Sequence, residues 1–150
     1  MPELPEVETV RRGLVSLVKG YKIAAAHDLH PRALKPESIA PLKSIQGAKI
    51  LDLNRRGKFL WFVLDRPQVL VAHLGMSGQF LIHQPGHPKA QHVRAQFDLT
   101  QQMRKRELVF NDQRTFGWVS VEETTDGVPS SAQHIARDPF DSHFDLQETI

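Results

Sequence analysis

The first residues able to do chemistry lie at the very start of the chain: Pro2, Glu3, Glu6 and Glu8, in the string MPELPEVETVRRGL. Removal of Met1, the ordinary fate of an initiator methionine before a small residue, leaves Pro2 with a free secondary amine. A terminal α-amino group titrates at about 7.7–8.0, against about 10.4 for lysine, so far more of it is unprotonated at neutral pH. Secondary amines condense with aldehydes to iminium ions, the electron sink of Schiff-base catalysis. Such an amine needs an acid or base beside it. Glu3, Glu6 and Glu8 are the nearest carboxylates, and in a partly dry site a carboxyl group serves as a general acid near neutrality. The start of a helix disfavours the ammonium form while Glu3 and Glu6 favour it, and both influences stand. Taken without their neighbours, the same residues are a tolerated N-terminus and dipole partners of a helix.

The elements that must position them follow from periodicity. Residues 5–19 read as a helix, with Val7, Val10, Leu14 and Leu17 in one apolar stripe, Pro5 suited to the first helical position and Gly20 to the stop. Beyond it the pattern turns to strands. KIAAAHDL is the first, and ESIAPLKSI holds a short helical turn broken by Pro41. AKILDLN and KFLWFVLD flank RRG as a hairpin, QVLVAHL and QFLIH flank GMSG as a second, and AQFDLT and ELVFND flank QQMRKR as a third. GWVSVEE closes the series, TTDGVPSS reads as a loop, and AQHIA starts a second short helix. About eight short antiparallel strands at regular spacing predict a mainly β fold, a two-layer β-sandwich with an N-terminal α-helix.

Composition narrows the setting. No stretch approaches the roughly 18 apolar residues of a membrane span. The N-terminus is acidic where a signal peptide is basic and apolar. The absence of cysteine excludes disulfides and thiolate metal sites within these residues. The expected location is cytoplasmic. Charge is uneven: residues 1–114 hold 18 Lys/Arg against 10 Asp/Glu, and residues 115–150 hold 1 against 7. A basic body with an acidic tail suits a polyanion-facing surface, and equally an unevenly solvated one.

The full string PELPEVETVRRGL resembles the N-terminal signature of the formamidopyrimidine-DNA glycosylase family. NRRGKFLWFVL, HLGMSGQF and NDQRTFGW resemble the same family in the same order. The endonuclease VIII branch, which acts on oxidised pyrimidines, begins with glycine where this chain has Leu4, so the purine-lesion branch fits better. The resemblance implies excision of 8-oxoguanine and formamidopyrimidines from duplex DNA, followed by β- and δ-elimination at the abasic site. It implies that Pro2 attacks C1′, that Glu3 protonates the sugar during ring opening, that Glu6 is a further active-site carboxylate, and that Lys58 donates a proton in β-elimination. The implied partner is double-stranded DNA carrying oxidised purines or abasic sites, bound by a bacterial, nucleoid-associated monomer.

An enzyme acting at C1′ takes the nucleotide out of the stack and must fill the hole. The resemblance assigns that filling to Met76 and Arg114, with Phe116 wedging the opposite strand, and assigns phosphate contacts to His73 and His92. Without it, Met76 and Phe116 read as turn-flanking core residues and His73 as a core histidine. Arg55, Arg56, Arg104, Lys105 and Arg106 read as phosphate contacts or solvated turns. His83, His87 and His92 have poor metal-ligand spacing. Gln113 and Thr115 depart from the family's usual proline and basic residue. Residues 1–133 are expected to form the catalytic domain. Residues 134–150 are expected to begin a linker to a helix–two-turn–helix and a zinc finger that holds one structural zinc; without these, excision is expected to be feeble. Two competing readings are a small tautomerase with a proline base, which the long β run argues against, and a non-catalytic module that grips damaged DNA.

Overall fold

The computed structural model describes residues 4–88, 91–113 and 117–134. One α-helix, α1 (Leu4–Val18), precedes nine strands: β1 (Lys22–Asp28), β2 (Ile50–Arg56), β3 (Phe59–Leu64), β4 (Gln68–His73), β5 (Gly78–His83), β6 (Val93–Gln101), β7 (Arg104–Asp112), β8 (Trp118–Thr125) and β9 (Val128–Pro129). They form two antiparallel sheets, ordered β1-β6-β7-β5 and β2-β3-β4-β8-β9. The sandwich predicted from strand spacing is therefore the observed architecture. The core lies between the sheets, where Phe62 of one meets Phe80 of the other edge-on at 5.6 Å, and Phe80 meets Phe110 at 5.2 Å.

Several local expectations are corrected. The buried stripe of α1 is Val7, Leu14 and Val18, whereas Leu17 is 38% exposed. At 100° per residue, position 18 returns closer to the direction of Val7 than position 17 does. Gly20, at φ +89°, turns the chain out of the helix. TTDGVPSS is not a plain loop. Asp126 and Gly127 both take positive φ and close a two-residue hairpin in which Thr125 pairs with Val128. Of the predicted second helix, AQHIA, only residues 132–134 are described, and there Ala132 ends a 3-10 turn, Ser130–Ala132; the helical turn expected in ESIAPLKSI is a 3-10 turn at Leu42–Ile45, after Pro41.

The most consequential correction concerns GMSG, which does not close a hairpin. β4 lies in the five-stranded sheet and β5 in the four-stranded one. Residues 74–77 are thus a first arch that crosses between layers, and the chain changes sheets again between β7 and β8. β5 pairs with β7, Gly78 opposite Asp112, and β4 with β8, His73 opposite Trp118. The ends of β4 and β7 and the starts of β5 and β8 therefore lie together at one end of the sandwich.

Candidate functional site

α1 brings its own N-terminal end to that same end. Its C-terminal carbonyl, Leu17 O, accepts from Arg106 Nη1 at 2.7 Å near the start of β7. Its first turns face the first arch: Glu6 and Val10 line an open cleft of about 530 Å³ with Leu74, Met76 and Phe80. β7 spans about 25–30 Å, so the two ends of the sandwich are well separated.

The helix is fixed by a buried ion cluster. Glu8, 3% exposed, accepts from Arg11 Nε and Nη2 at 2.9 and 2.7 Å, from Arg12 Nε at 2.8 Å and from Arg55 Nε at 3.0 Å. Burial pushes the Glu8 carboxyl up, but the hydrogen bonds from Arg11, Arg55 and Arg12 outweigh it and hold the group at about 2. Glu8 is therefore permanently ionised near neutrality and serves as the helix's mount, not as an acid for Pro2. Arg55, expected in a phosphate contact or a solvated turn, is fully buried and also donates to Gly57 O at 2.7 Å. A buried carboxylate needs counter-charges at hydrogen-bond distance, and Arg55 supplies one from inside the fold beside those that Arg11 and Arg12 bring from the helix itself.

Lys58 sits half-buried in the β2–β3 turn, directly after Gly57 at φ +58°. Phe59 pairs with His73 across the sheet, and their rings meet at 5.0 Å. The His73 ring also stacks on Trp118 at 5.7 Å and 17°, and Lys35 Nζ lies 4.3 Å from the Trp118 ring centroid. Burial first, then the positive charges of Lys58 and Lys35, push His73 below the usual histidine range, so its ring is neutral at pH 7. Its Nδ1 accepts from the Gly75 N–H at 3.1 Å, which leaves the proton on Nε2. His73 is thus an uncharged donor in an aromatic setting, neither a plain core residue nor an imidazolium.

Met76 is 49% exposed on the first arch. His92, half-buried, enters β6 at the same end, its carbonyl accepting from the Asp112 N–H at 2.9 Å. The structure thus brings Glu6, Lys58, His73, Met76 and His92 to one end of the sandwich. Pro2, Glu3, Arg114, Thr115 and Phe116 lie outside the described residues. Arg104 and Lys105 are exposed at the opposite end. His83 and His87 stack on each other at 3.9 Å, five residues along β5 from Gly78, apart from His92. Among the described residues no three His, Asp or Glu form a metal site, and no described helix is long and apolar enough to cross a membrane. Sequence reasoning missed the surroundings of His73, namely Trp118 and Lys35, because their neighbourhood depends on strand pairing. It also missed Asp112, whose buried carboxylate accepts from Ser77 Oγ at 2.6 Å and from the Gly117 N–H at 2.7 Å.

Fold and site together define a helix-backed antiparallel sandwich whose working surface is one end rather than one face. Residues 1–119 match the family described as Formamidopyrimidine-DNA glycosylase N-terminal domain, and the chain belongs to that family. It is 46% identical to the Formamidopyrimidine-DNA glycosylase of Acidothermus cellulolyticus, over 99% of this chain and 52% of that protein. It is 45% identical to that of Thermobifida fusca, over 97% and 53%. The chain therefore spans about half the length of these bacterial relatives. Among solved structures it is similar to a Lactococcus lactis FPG mutant in complex with a Fapy-dG containing DNA, with a TM-score of 0.73, 31% identity, and 82% of this chain and 44% of that one covered. It is equally similar to MutM in complex with carbocyclic 8-oxo-G containing DNA, with a TM-score of 0.73 and 31% identity over 82% and 45%.

Proposed function

We propose that this chain is the catalytic half of a bifunctional DNA glycosylase and abasic-site lyase of base-excision repair, acting on oxidised purines in duplex DNA. The observation that carries the reading is convergence. A family signature that begins at Pro2 runs into a helix whose first turns, at Glu6 and Val10, line one cleft with Leu74 and Met76, at the end of the sandwich that also carries His73.

In this mechanism the Pro2 amine attacks C1′ of the extruded nucleotide. The C1′–N bond to the base breaks as the C1′–N bond to proline forms. Glu3 protonates the sugar oxygen during ring opening, leaving an iminium ion. Loss of the C2′ proton into that electron sink expels the 3′ phosphate in β-elimination, with Lys58 as proton donor near the backbone, and δ-elimination follows at the other phosphate. Glu6 is the further carboxylate beside the reacting sugar. Met76 and Arg114 fill the void in the stack, Phe116 wedges the opposite strand, and His73 and His92 contact phosphates.

Residues 1–133 form the catalytic domain in this reading, and 134–150 lead towards a helix–two-turn–helix and a zinc finger. The finger's structural zinc would be held by cysteines, and these 150 residues contain none, so no step here runs through it. Excision by these residues alone is expected to be weak, because phosphate contacts made elsewhere are lost. The expected setting is the bacterial cytoplasm, at the nucleoid, with the protein a monomer. Borohydride trapping on a duplex with an abasic site tests the reading. The expected result is a covalent adduct that disappears on Pro2→Gly with an added N-terminal Ala. An adduct that survives this change would overturn the role of Pro2, and binding of abasic duplex without adduct or strand cleavage would favour a non-catalytic module.

A further inference from the structure

The face of the five-stranded sheet turned away from the core carries a cross-strand row that the chemistry above uses only at His73. Phe59 of β3 lies opposite His73 of β4, and His73 lies opposite Trp118 of β8. The other edge of β8 is taken by residues 33–39. The Val119 N–H donates to Ala33 O and the Lys35 N–H to Val119 O, both at 2.8 Å, and Leu34 bridges Val119 in parallel. Lys35 therefore joins the row on the side of Trp118 away from His73. Its Nζ lies 4.3 Å from the Trp118 centroid, while the Trp118 and His73 rings stack at 5.7 Å and 17°. The order across the sheet is imidazole, indole, ammonium.

The ammonium is held from behind. Lys35 Nζ donates to Ser131 Oγ at 3.0 Å. Ser131 Oγ donates to Glu122 Oε2 at 2.5 Å, and the Ser131 N–H donates to Glu122 Oε1 at 2.7 Å. A serine hydroxyl has one proton, so with that proton on Glu122 it only accepts from Lys35. Glu122 is buried. One hydroxyl thus joins a buried carboxylate to the ammonium, and the charge of Lys35 is answered inside the protein. What remains is its attraction to the indole face, which strengthens with desolvation. On the other side of the indole, the imidazole is bounded by Phe59 at 5.0 Å and fixed at Nδ1 by the Gly75 N–H.

We propose that Lys35 is a positioning residue for His73: held by Ser131 and Glu122, it fixes the Trp118 ring as the plate on which the imidazole stacks, and so aims the Nε2–H at a DNA phosphate that Lys35 itself does not touch. The proposal rests on the glycosylase reading given above, which gives His73 its phosphate. A tilt of the indole would turn the imidazole with it, so the side of the sheet remote from His73 governs the angle at which that contact is made.

The test measures affinity for a duplex carrying a tetrahydrofuran abasic analogue, in the full-length protein and over a range of salt. Lys35→Met should weaken binding about three- to tenfold. The slope of log affinity on log salt should stay within about 0.3 of native, whereas loss of a lysine that itself grips a phosphate would make it shallower by about 0.9. Lys35→Arg should return the affinity to within about twofold of native, because a guanidinium also stacks on indole and donates to Ser131. In a His73→Ala background Lys35→Met should change affinity by less than about twofold, since Lys35 acts only through the imidazole. In the protein without DNA, the His73 ring protons, displaced by the Trp118 ring current, should move towards their unstacked resonances in Lys35→Met and in Ser131→Ala. A slope shallower by about 0.9, an undiminished effect of Lys35→Met beside His73→Ala, or His73 resonances that do not move would each overturn the proposal and leave the glycosylase reading intact. A native protein with no preference for the abasic duplex over an undamaged one would overturn that reading, and the phosphate contact proposed for His73 with it.

Discussion

Two basic clusters close two hairpins of this molecule: Arg55, Arg56 and Lys58 around Gly57, and Arg104, Lys105 and Arg106 after Met103. In composition they are nearly the same. The first meets the N-terminal half of α1, where Arg55 goes wholly inside to pair with Glu8 and Lys58 is left beside His73. The second meets the other end of the helix, where Arg106 lies over the Tyr21 ring at 5.1 Å and caps the Leu17 carbonyl, and Arg104 and Lys105 face solvent. A run of positive charge thus acquires its meaning from the end of the helix it touches. At one end it fixes the mount of the N-terminus, and at the other it closes a helix that has run its length.

The sharpest way to break this comparison is Glu8→Ala, which strands Arg55 without its buried partner. It should cost about 3–5 kcal/mol in urea or thermal unfolding, and a loss below about 1 kcal/mol would mean that Arg55 has a way out to water. The acid limb is next. The Glu8 carboxyl is held at about 2 when folded against an ordinary value of 4.5. Its contribution is complete above pH 5 and is lost as pH falls through 4.5 towards 2, amounting to about 3 kcal/mol. Chemical denaturation at steps between pH 6 and 2 should show that loss in the native chain and not in Glu8→Gln. At the far end Arg106→Ala should cost only about 1 kcal/mol, as a lost cap and dipole partner. Between the clusters, Gly13 has nothing within 4 Å of the place a Cβ would take, so Gly13→Ala should stabilise by about 0.5–1 kcal/mol. Arg104→Ala should stay within about 0.5 kcal/mol and leave the salt dependence of DNA binding unchanged. A shallower slope in that variant would show that the far end touches phosphates after all.

How much of this was legible in the sequence varied with the range of the interaction. The helix, its glycine stop and the strands were readable because periodicity is local. The Asp126–Gly127 hairpin was readable too and was passed over, although that dipeptide is the usual signal for such a turn. GMSG was misread because a turn sequence says that the chain reverses, not which sheet it reverses into. Arg55 was misread because an arginine in a basic run suggests solvent, and only the depth of Glu8, 47 residues earlier, overrides that. The grouping of Glu6, Lys58, Met76 and the histidines at one end came from family resemblance. The contacts of Asp112 with Ser77 and Gly117 were visible in neither pattern nor resemblance, because they depend on which strands lie side by side.

The tautomer of His73 has a consequence for any polyanion seated at that end. A cation that grips a phosphate releases a condensed counter-ion and weakens as salt rises. A neutral imidazole with its proton on Nε2 grips the same oxygen and releases none. In the proposed function the lysines would set an affinity that ionic strength erodes, while His73 would add a salt-indifferent share held ready by one backbone amide, that of Gly75.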